Sequence, residues 1–358
     1  MRAKQNIYNN PLKEDLDHVL AHTAGLWEGL RGKKVFITGG TGFFGCWLLE
    51  SFAWANDILD LNASVFVLSR NPAAFEKTAP HLYHHEAINF LKGDIKDFVY
   101  PEGSFSYLIH CSVYQQRADE KVNNLSMVNE MLNGTMRILD FCVQAKVKKM
   151  LLVSTGAVYG KAPSHLKNIP EDFSDSMDPT ISTSAYHHVR QMMETLSVIY
   201  AEGNDFESKI ARCFSFIGPY LPLNGRFAVG DFILDALSHD SIIIKGDGKA
   251  VRSYLYMADL AIWLWTVLFK GKSCRPYNVG SELPITISAV AKEFANESVL
   301  SLPVSILKKP SQEVAPDYYV PDTLRARSEL NLQQRISLPI AVKRTMQWHR
   351  DINSRKEH

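Results

Sequence analysis

The stretch KVFITGGTGFFG, residues 34–45, decides the architecture. A short β-branched and aromatic run reads as a buried strand. It passes straight into Gly39-x-x-Gly42-x-x-Gly45 and then into a helical pattern through Trp54. Strand, glycine turn and helix in that order build a phosphate cradle. Gly39 permits the tight turn, Gly42 lets a pyrophosphate approach the backbone, and Gly45 lets the helix pack close to the sheet. Free N–H groups at the helix start then face the phosphates. Gly39, Thr41, Gly42, Phe43, Phe44 and Gly45 are the expected dinucleotide contacts.

Outward from this loop, further strands are expected at residues 63–68, 87–91, 107–110, 150–153 and 208–212, with helices at 128–144 and 186–202. Strands alternating with helices predict a doubly wound parallel sheet. Upstream, residues 1–12 read as a loose tail and 14–30 as one amphipathic helix closed by Gly32. Downstream, Pro219, Pro222 and Gly225 open a loop. A helix (232–237), a strand (241–245), a helix (258–269) and a strand (277–279) follow. The expected division is a tail and helix over 1–32, a dinucleotide domain over 33–215, a substrate lobe drawn mainly from 216–350 and interleaved with it, and a tail over 351–358.

The end of the second strand chooses the dinucleotide. An acidic residue there binds a ribose 2′-hydroxyl. Ser69 stands in its place, followed by Arg70 and Asn71. A guanidinium beside a hydroxyl suits a 2′-phosphate, so NADP is expected, with NAD as the alternative. Asp94 and Ile95 after the third strand are expected at the adenine edge, and Cys111 and Ser112 near the nicotinamide.

Two segments carry the chemistry. Ser154-Thr155-Gly156-Ala157-Val158-Tyr159-Gly160 follows a strand, and Ser184-Ala185-Tyr186-His187-His188-Val189-Arg190 opens a helix. Tyr186 and Arg190 are one helical turn apart. A phenol is a poor base near neutral pH unless a neighbouring cation favours the phenolate. Thr155, Tyr186 and Arg190 are the expected catalytic group, moving the proton of a C–OH/C=O pair while hydride moves to or from the nicotinamide.

With these motifs the chain resembles the extended short-chain dehydrogenases/reductases of the nucleotide-sugar epimerase/dehydratase group, over roughly residues 33–350. Arg212-x5-Gly218-Pro219, Gly246-Asp247-Gly248 followed by Arg252 and Asp259, and Tyr277-Asn278-Val279-Gly280 add to the resemblance. It implies a Rossmann-like sheet with a smaller mixed α/β substrate-binding lobe. Within the group the chain is similar to UDP-glucuronate decarboxylases and dTDP-4-keto-6-deoxyglucose reductase-like proteins. The resemblance implies that Arg252 reaches a substrate diphosphate. It implies that Thr155, Ser215 and Phe227 contact the substrate, with residues 218–227 lining the pocket. It also implies that Tyr186 and Arg190 touch the dinucleotide, and that a homodimer forms through the helices at 128–144 and 186–202.

Departures from the family narrow the reaction. The family lysine four residues after the tyrosine is Arg190. Gly156 and Ala157 stand where related dehydratases and decarboxylases carry acids, and Ala157 also stands where GDP-fucose-synthase-like epimerases carry a cysteine. The usual asparagine before the Gly-Pro turn is Ser215. The expected function is therefore a nucleotide-diphosphate-sugar oxidoreductase, foremost a 4-keto-sugar reductase in bacterial polysaccharide precursor synthesis. A 4-epimerase, a decarboxylase-like enzyme and a non-catalytic dinucleotide-binding protein stay open.

Composition excludes other classes. The 358 residues carry 39 Lys+Arg against 38 Asp+Glu, a net charge of +1, without the basic surplus that nucleic acid or an anionic membrane needs. Five scattered cysteines, Cys46, Cys111, Cys142, Cys213 and Cys274, fit a reducing compartment and no metal site. No secretory signal is visible at the N-terminus, and residues 260–269 are too short for a bilayer span. A cytoplasmic location is expected.

Overall fold

The computed structural model describes residues 10–112, 123–163, 166–174, 177–223, 225, 227–298, 301–309 and 316–356. Most of the expected N-terminal tail, two residues of the 218–227 loop, and 357–358 lie outside them. In chain order, α1 (Lys13–His22) is followed by β1 (Lys34–Thr38), α2 (Phe43–Ile58), β2 (Ser64–Ser69), and the short helices α3 (Pro72–Thr78) and α4 (Pro80–Tyr83). Then come β3 (Ile88–Lys92), β4 (Tyr107–His110), α5 (Asn124–Gln144), β5 (Lys149–Thr155), α6 (Ala185–Gly203) and β6 (Glu207–Cys213).

These strands and the later β11 (Arg275–Val279) form a seven-stranded sheet of order β11-β6-β5-β4-β1-β2-β3. All its pairings are parallel. Val35, Phe36 and Ile37 of β1 are all buried because both faces are covered. On one face Val35, Ile37, Val67, Leu151 and Val153 pack with Trp47, Trp263 and Trp265. On the other, Phe36, Leu108, Met150 and Leu152 pack with Met131, Ile138 and Phe141 of α5 and with Val189 and Met193 of α6. The strand order reverses between β1 and β4. The crevice at their carboxyl ends is where such sheets take ligands.

The later segments add β7 (Phe216–Ile217), α7 (Ala228–Ser238), β8 (Ile242–Ile244), β9 (Val251–Arg252), β10 (Leu255–Tyr256) and α8 (Met257–Lys270). After β11 come β12 (Ile285–Thr286), α9 (Ile287–Glu297), β13 (Val304–Ile306), β14 (Tyr318–Tyr319), α10 (Leu324–Leu330) and α11 (Leu338–Lys356). They form three small sheets, β10-β7, β12-β9-β14 and β13-β8.

Two expectations are corrected. The helix expected over 14–30 stops at His22 and resumes only as a 3-10 turn, Trp27–Leu30. The Thr23 hydroxyl donates to the Val19 carbonyl and accepts the Trp27 indole N–H at 2.7 Å, and Gly25 has φ +81°, so the chain turns there. The shortened helix docks on the body: Asp15 accepts from Tyr256 and Arg344, and Asp17 accepts from Trp54. The expected tail at 351–358 is helical as far as Lys356. Its turns continue α11, with Gln347 reaching Asp351 and Ser354 reaching the Arg350 carbonyl. Among the described residues no helix is long and apolar enough to cross a membrane.

Candidate active site

At the end of β1 the chain makes room by omitting side chains. Gly39 has φ +70°, and its carbonyl accepts the Gly42 N–H at 3.0 Å. A Cβ on Gly39 would lie 2.7 Å from the Cys111 carbonyl oxygen. A Cβ on Gly45 would run into the backbone of Gly39 and Gly40. The first turn of α2 has no side-chain cap among the described residues, which leaves its N–H groups for a ligand. This cradle, which added methyl groups would fill, fits a dinucleotide pyrophosphate. Phe44 stacks edge-on against Phe216 at 4.9 Å, tying the loop to the later segments.

The other expected dinucleotide contacts follow the ends of β2, β3 and β4. Ser69 is buried at the end of β2, with its carbonyl accepting the Gly93 N–H at 3.0 Å, while Arg70 is exposed. Asn71 spends its side-chain oxygen capping α3 at the Ala74 N–H. Asp94 accepts the Lys96 N–H at 3.0 Å. The Ile95 side chain packs on Gly134 of α5, so only its backbone is turned elsewhere. Cys111 hydrogen-bonds the Thr38 carbonyl through both its N–H and its thiol, and burial pushes that thiol up to about 12. A thiol held protonated this way is packing rather than a nucleophile. Ser112, half-buried, follows it.

Two strands away, β5 ends at Thr155, opposite Cys213 of β6. Thr155 caps the 3-10 turn Gly156–Tyr159, its hydroxyl accepting the Ala157 N–H at 3.2 Å. Tyr186, on the first turn of α6, is 36% exposed. Arg190, one turn on, is only 1% exposed. Its guanidinium donates to the Val153 carbonyl at 2.7 Å and lies 3.9 Å from the Met193 sulfur, and its Nε is buried without a partner among the described residues. Beside it, His110 at the end of β4 bonds Thr38 at 2.6 Å and Thr135 at 3.4 Å. Burial, and then the Arg190 charge, push His110 down to about 3, so the imidazole is neutral. His187 is held by the Ala157 carbonyl at 2.8 Å.

Several motif residues prove to be scaffold. Ser154 donates to Glu194 at 2.5 Å, and Glu194 takes a forked ion pair from Arg212. Arg212 also donates to Tyr159 at 3.0 Å, whose hydroxyl donates to Asn278 at 2.6 Å. This buried network ties β5, α6, β6 and β11 together behind Thr155. Asp259 is likewise buried, accepting the N–H groups of Arg335 and Ile336 at 2.9 Å.

The expected substrate contacts lie on the later segments. Ser215 joins β7 to β10, its carbonyl accepting the Leu255 N–H at 3.1 Å. Phe227, 51% exposed, precedes α7. Arg252 pairs with Asp317 at 2.6 Å and also donates to the Asp317 and Val251 carbonyls.

One residue escaped the sequence reading. Tyr319, on β14, pairs in register with Arg252 of β9, whose guanidinium lies 5.8 Å from the Tyr319 ring. That ring packs at a tilt against Phe214, with centroids 4.6 Å apart. A Cβ on Gly156 would lie 2.6 Å from the Tyr319 hydroxyl. The sole sequence signal is a Tyr-Tyr pair between prolines, which says nothing of a fold-back onto β9.

The profile of the NAD dependent epimerase/dehydratase family matches residues 35–280. The chain belongs to that family and is an enzyme of its kind. UDP-glucuronic acid decarboxylase 1 of Arabidopsis thaliana is 25% identical over 310 residues, spanning 87% of this chain and 68% of that protein. UDP-glucuronic acid decarboxylase 1 of Danio rerio is 24% identical, over 88% and 72% respectively. Among solved structures, UDP-N-acetylglucosamine 4-epimerase from Methanobrevibacter ruminantium M1 superposes with a TM-score of 0.76 at 18% identity, over 89% of this chain and 99% of that one. UDP-glucuronic acid 4-epimerase from Bacillus cereus, in complex with UDP-glucuronic acid and NAD, gives 0.74 at 19% identity, over 89% and 99%. Both share this fold.

Proposed function

We propose that the protein catalyses hydride transfer at C4 of a nucleotide-diphosphate sugar, with NADPH reduction of a 4-keto sugar nucleotide as its net reaction. The observation that carries this reading is the end of β5. Gly156 and Ala157 offer no acid there, and the room a side chain at 156 would need is taken by the Tyr319 phenol. Elimination needs an acid and a base beside the departing group, whereas hydride transfer needs only a placed hydroxyl pair.

The dinucleotide, when bound, supplies or accepts the hydride. The Gly39–Gly45 loop would hold its pyrophosphate. Ser69 and Arg70 would take the 2′-phosphate, Asn71 and Asp94 with the Ile95 backbone the adenine end, and Cys111 and Ser112 the nicotinamide end. Arg252 would take the substrate diphosphate in exchange for Asp317, with Ser215 and Phe227 beside the nucleotide. Thr155 donates a hydrogen bond to the ketone oxygen. Tyr186 gives that oxygen its phenolic proton as C4 gains the hydride, so the C=O becomes CH–OH and the phenolate regains a proton from solvent. Arg190, buried one turn on from Tyr186, would stand as the cation of the site.

The test is to denature the purified chain, identify the released dinucleotide, and challenge intact protein with UDP-, dTDP-, CDP- and GDP-linked sugars and 4-keto sugars. NADPH consumption by a 4-keto sugar nucleotide is expected. A second reading, 4-epimerisation with a retained dinucleotide, uses the same two hydroxyls and matches the activity named for both structural neighbours. Tightly held NAD and interconversion of two sugar epimers would establish it instead. Exposed Met136 and Val143 on α5, beside Met192 and Ile199 on α6, support a homodimer, which sedimentation would register as twice the chain mass.

A further inference from the structure

We propose that Glu50 and Trp47, on the dinucleotide helix α2, are positioning residues for the sugar nucleotide: they clamp the turn at 218–220, from which the expected pocket loop runs to α7. The proposal rests on the reading above for the ligand of that loop, and on hydrogen bonds of the structure for the clamp itself.

Phe44, Trp47 and Glu50 follow one another at three-residue steps, so they run along one side of α2. They meet the later chain in order. Phe44 lies edge-on to Phe216, the Trp47 indole N–H donates to the Pro219 carbonyl at 3.0 Å, and the Tyr220 hydroxyl donates to Glu50 at 2.6 Å. Glu50 is buried, and its carboxylate takes two more donors, His81 of α4 at 2.8 Å and Asn10, ahead of α1, at 3.0 Å. Burial alone would raise its pKa, but the bonds from His81, Tyr220 and Asn10 outweigh that and hold the carboxyl below the usual range. Glu50 spends itself on these partners and not on Thr155, Tyr186 or Arg190, so it acts through the turn it holds.

The turn needs holding. Tyr220 has φ +69°, in the left-handed region where a bulky residue is strained. Such strain persists only where the surroundings over-determine it. Here the hydroxyl is anchored on Glu50, the ring packs at a tilt against Trp348 of α11 with centroids 4.9 Å apart, and the preceding carbonyl is held by Trp47. Burial, and then the Glu50 charge, keep the phenol protonated as a donor. The placement is passed on along the chain. Leu221 is buried, and the Pro222 carbonyl oxygen lies so near α7 that a Cβ on Gly230 would come within 2.6 Å of it. One helix thus opens the phosphate cradle at its first turn and fixes the second ligand's loop two turns further on. The spacing between dinucleotide and sugar is set by a rigid element.

Tyr220→Phe keeps the ring on Trp348 and removes only the anchoring oxygen. Trp47→Phe keeps an aromatic in the core and removes the donor to Pro219. In the full chain, NADPH affinity is read by fluorescence titration. Nucleoside diphosphate affinity is read by calorimetry in the presence of NADPH, with whichever of UDP, dTDP, CDP and GDP the wild type binds most tightly. Tyr220→Phe is expected to weaken the nucleoside diphosphate about tenfold, the scale of one lost hydrogen bond to a charged group, and Trp47→Phe to act in the same direction. NADPH affinity is expected to move less than about twofold. The clamp itself is read by urea unfolding of wild type, Glu50→Gln, Tyr220→Phe and the double variant. The loss from Tyr220→Phe is expected to shrink in the Glu50→Gln background, where the acceptor is neutral. Strict additivity in unfolding, or a Tyr220→Phe chain with wild-type nucleoside diphosphate affinity, overturns the proposal. An equal weakening of NADPH marks general damage to α2 and overturns it too. A wild-type chain that binds none of the four nucleoside diphosphates overturns the proposed function instead, and the unfolding cycle still decides the clamp.

Discussion

Two glycine clearings lie at the ends of two parallel strands, and they serve opposite ends. After β1, Gly39 and Gly45 keep side chains out so that a ligand's phosphates can reach bare backbone. After β5, Gly156 keeps a side chain out so that the Tyr319 phenol, from a distant strand of the same chain, can lie against the backbone there. A glycine at a strand end therefore marks a close approach, but of what is decided by the rest of the fold.

The comparison is broken hardest at the first clearing. Gly45→Val puts branched carbon into the Gly39 and Gly40 backbone, so the loop must open. Dinucleotide binding, followed by fluorescence titration, is expected to disappear. Retained binding would mean that the loop is only a turn. Next in size is Tyr186→Phe, which should lower turnover at least about a hundredfold while dinucleotide binding persists. Near wild-type turnover would remove Tyr186 from its role.

At the second clearing, Gly156→Ala has no clash with ligand to fear, only with Tyr319 and Phe214. Overpacking of this kind costs about 1–3 kcal/mol, readable by urea unfolding. A neutral result would mean the phenol moves aside freely, and the two clearings would no longer differ.

What the sequence revealed follows from the same contrast. The first clearing is contiguous: strand, Gly39 loop and helix fall within one stretch, so local pattern suffices to place it. The parallel sheet was legible for the same reason, as each strand-helix unit announces itself. The second clearing needs Gly156 and Tyr319 together, and nothing local links them. β9, β12 and β14 are two-residue strands, too short for any periodicity. Arg190 shows a third limit. Helical spacing put it on the turn after Tyr186, but its burial against the Val153 carbonyl depends on where α6 docks. The break at Thr23 was hidden because a side-chain bond to Trp27, not a loss of amphipathic pattern, ends α1.

Between the clearings, β4 ends at His110, and its titration offers a smaller test. Its folded value of about 3 lies below the ordinary histidine value near 6.5. The unfolded chain therefore binds the extra proton first as pH falls. The stability this neutral imidazole contributes is complete above about pH 6.5 and drains below it, by about 1.4 kcal/mol per pH unit down to about 3. His110→Gln should flatten that part of the stability profile. An unchanged slope would place the acid sensitivity elsewhere.

The smallest expected effect separates the two clearings by ligand chemistry. If the first is built for NADP, Arg70 is a cation it adds, exposed at the end of β2 beside buried Ser69. A single solvent-facing guanidinium on a phosphate is worth about 1 kcal/mol or slightly more. Arg70→Ala should then weaken NADPH binding about five- to tenfold and leave NADH binding unchanged, and the loss should shrink as salt is raised because the contact is screened. Equal losses for both dinucleotides would mean that Arg70 steadies the loop and does not read the 2′-phosphate. The cradle would then take NAD, and the balance would pass from the reductase to the epimerase, since a retained NAD suits a site that returns every hydride it takes.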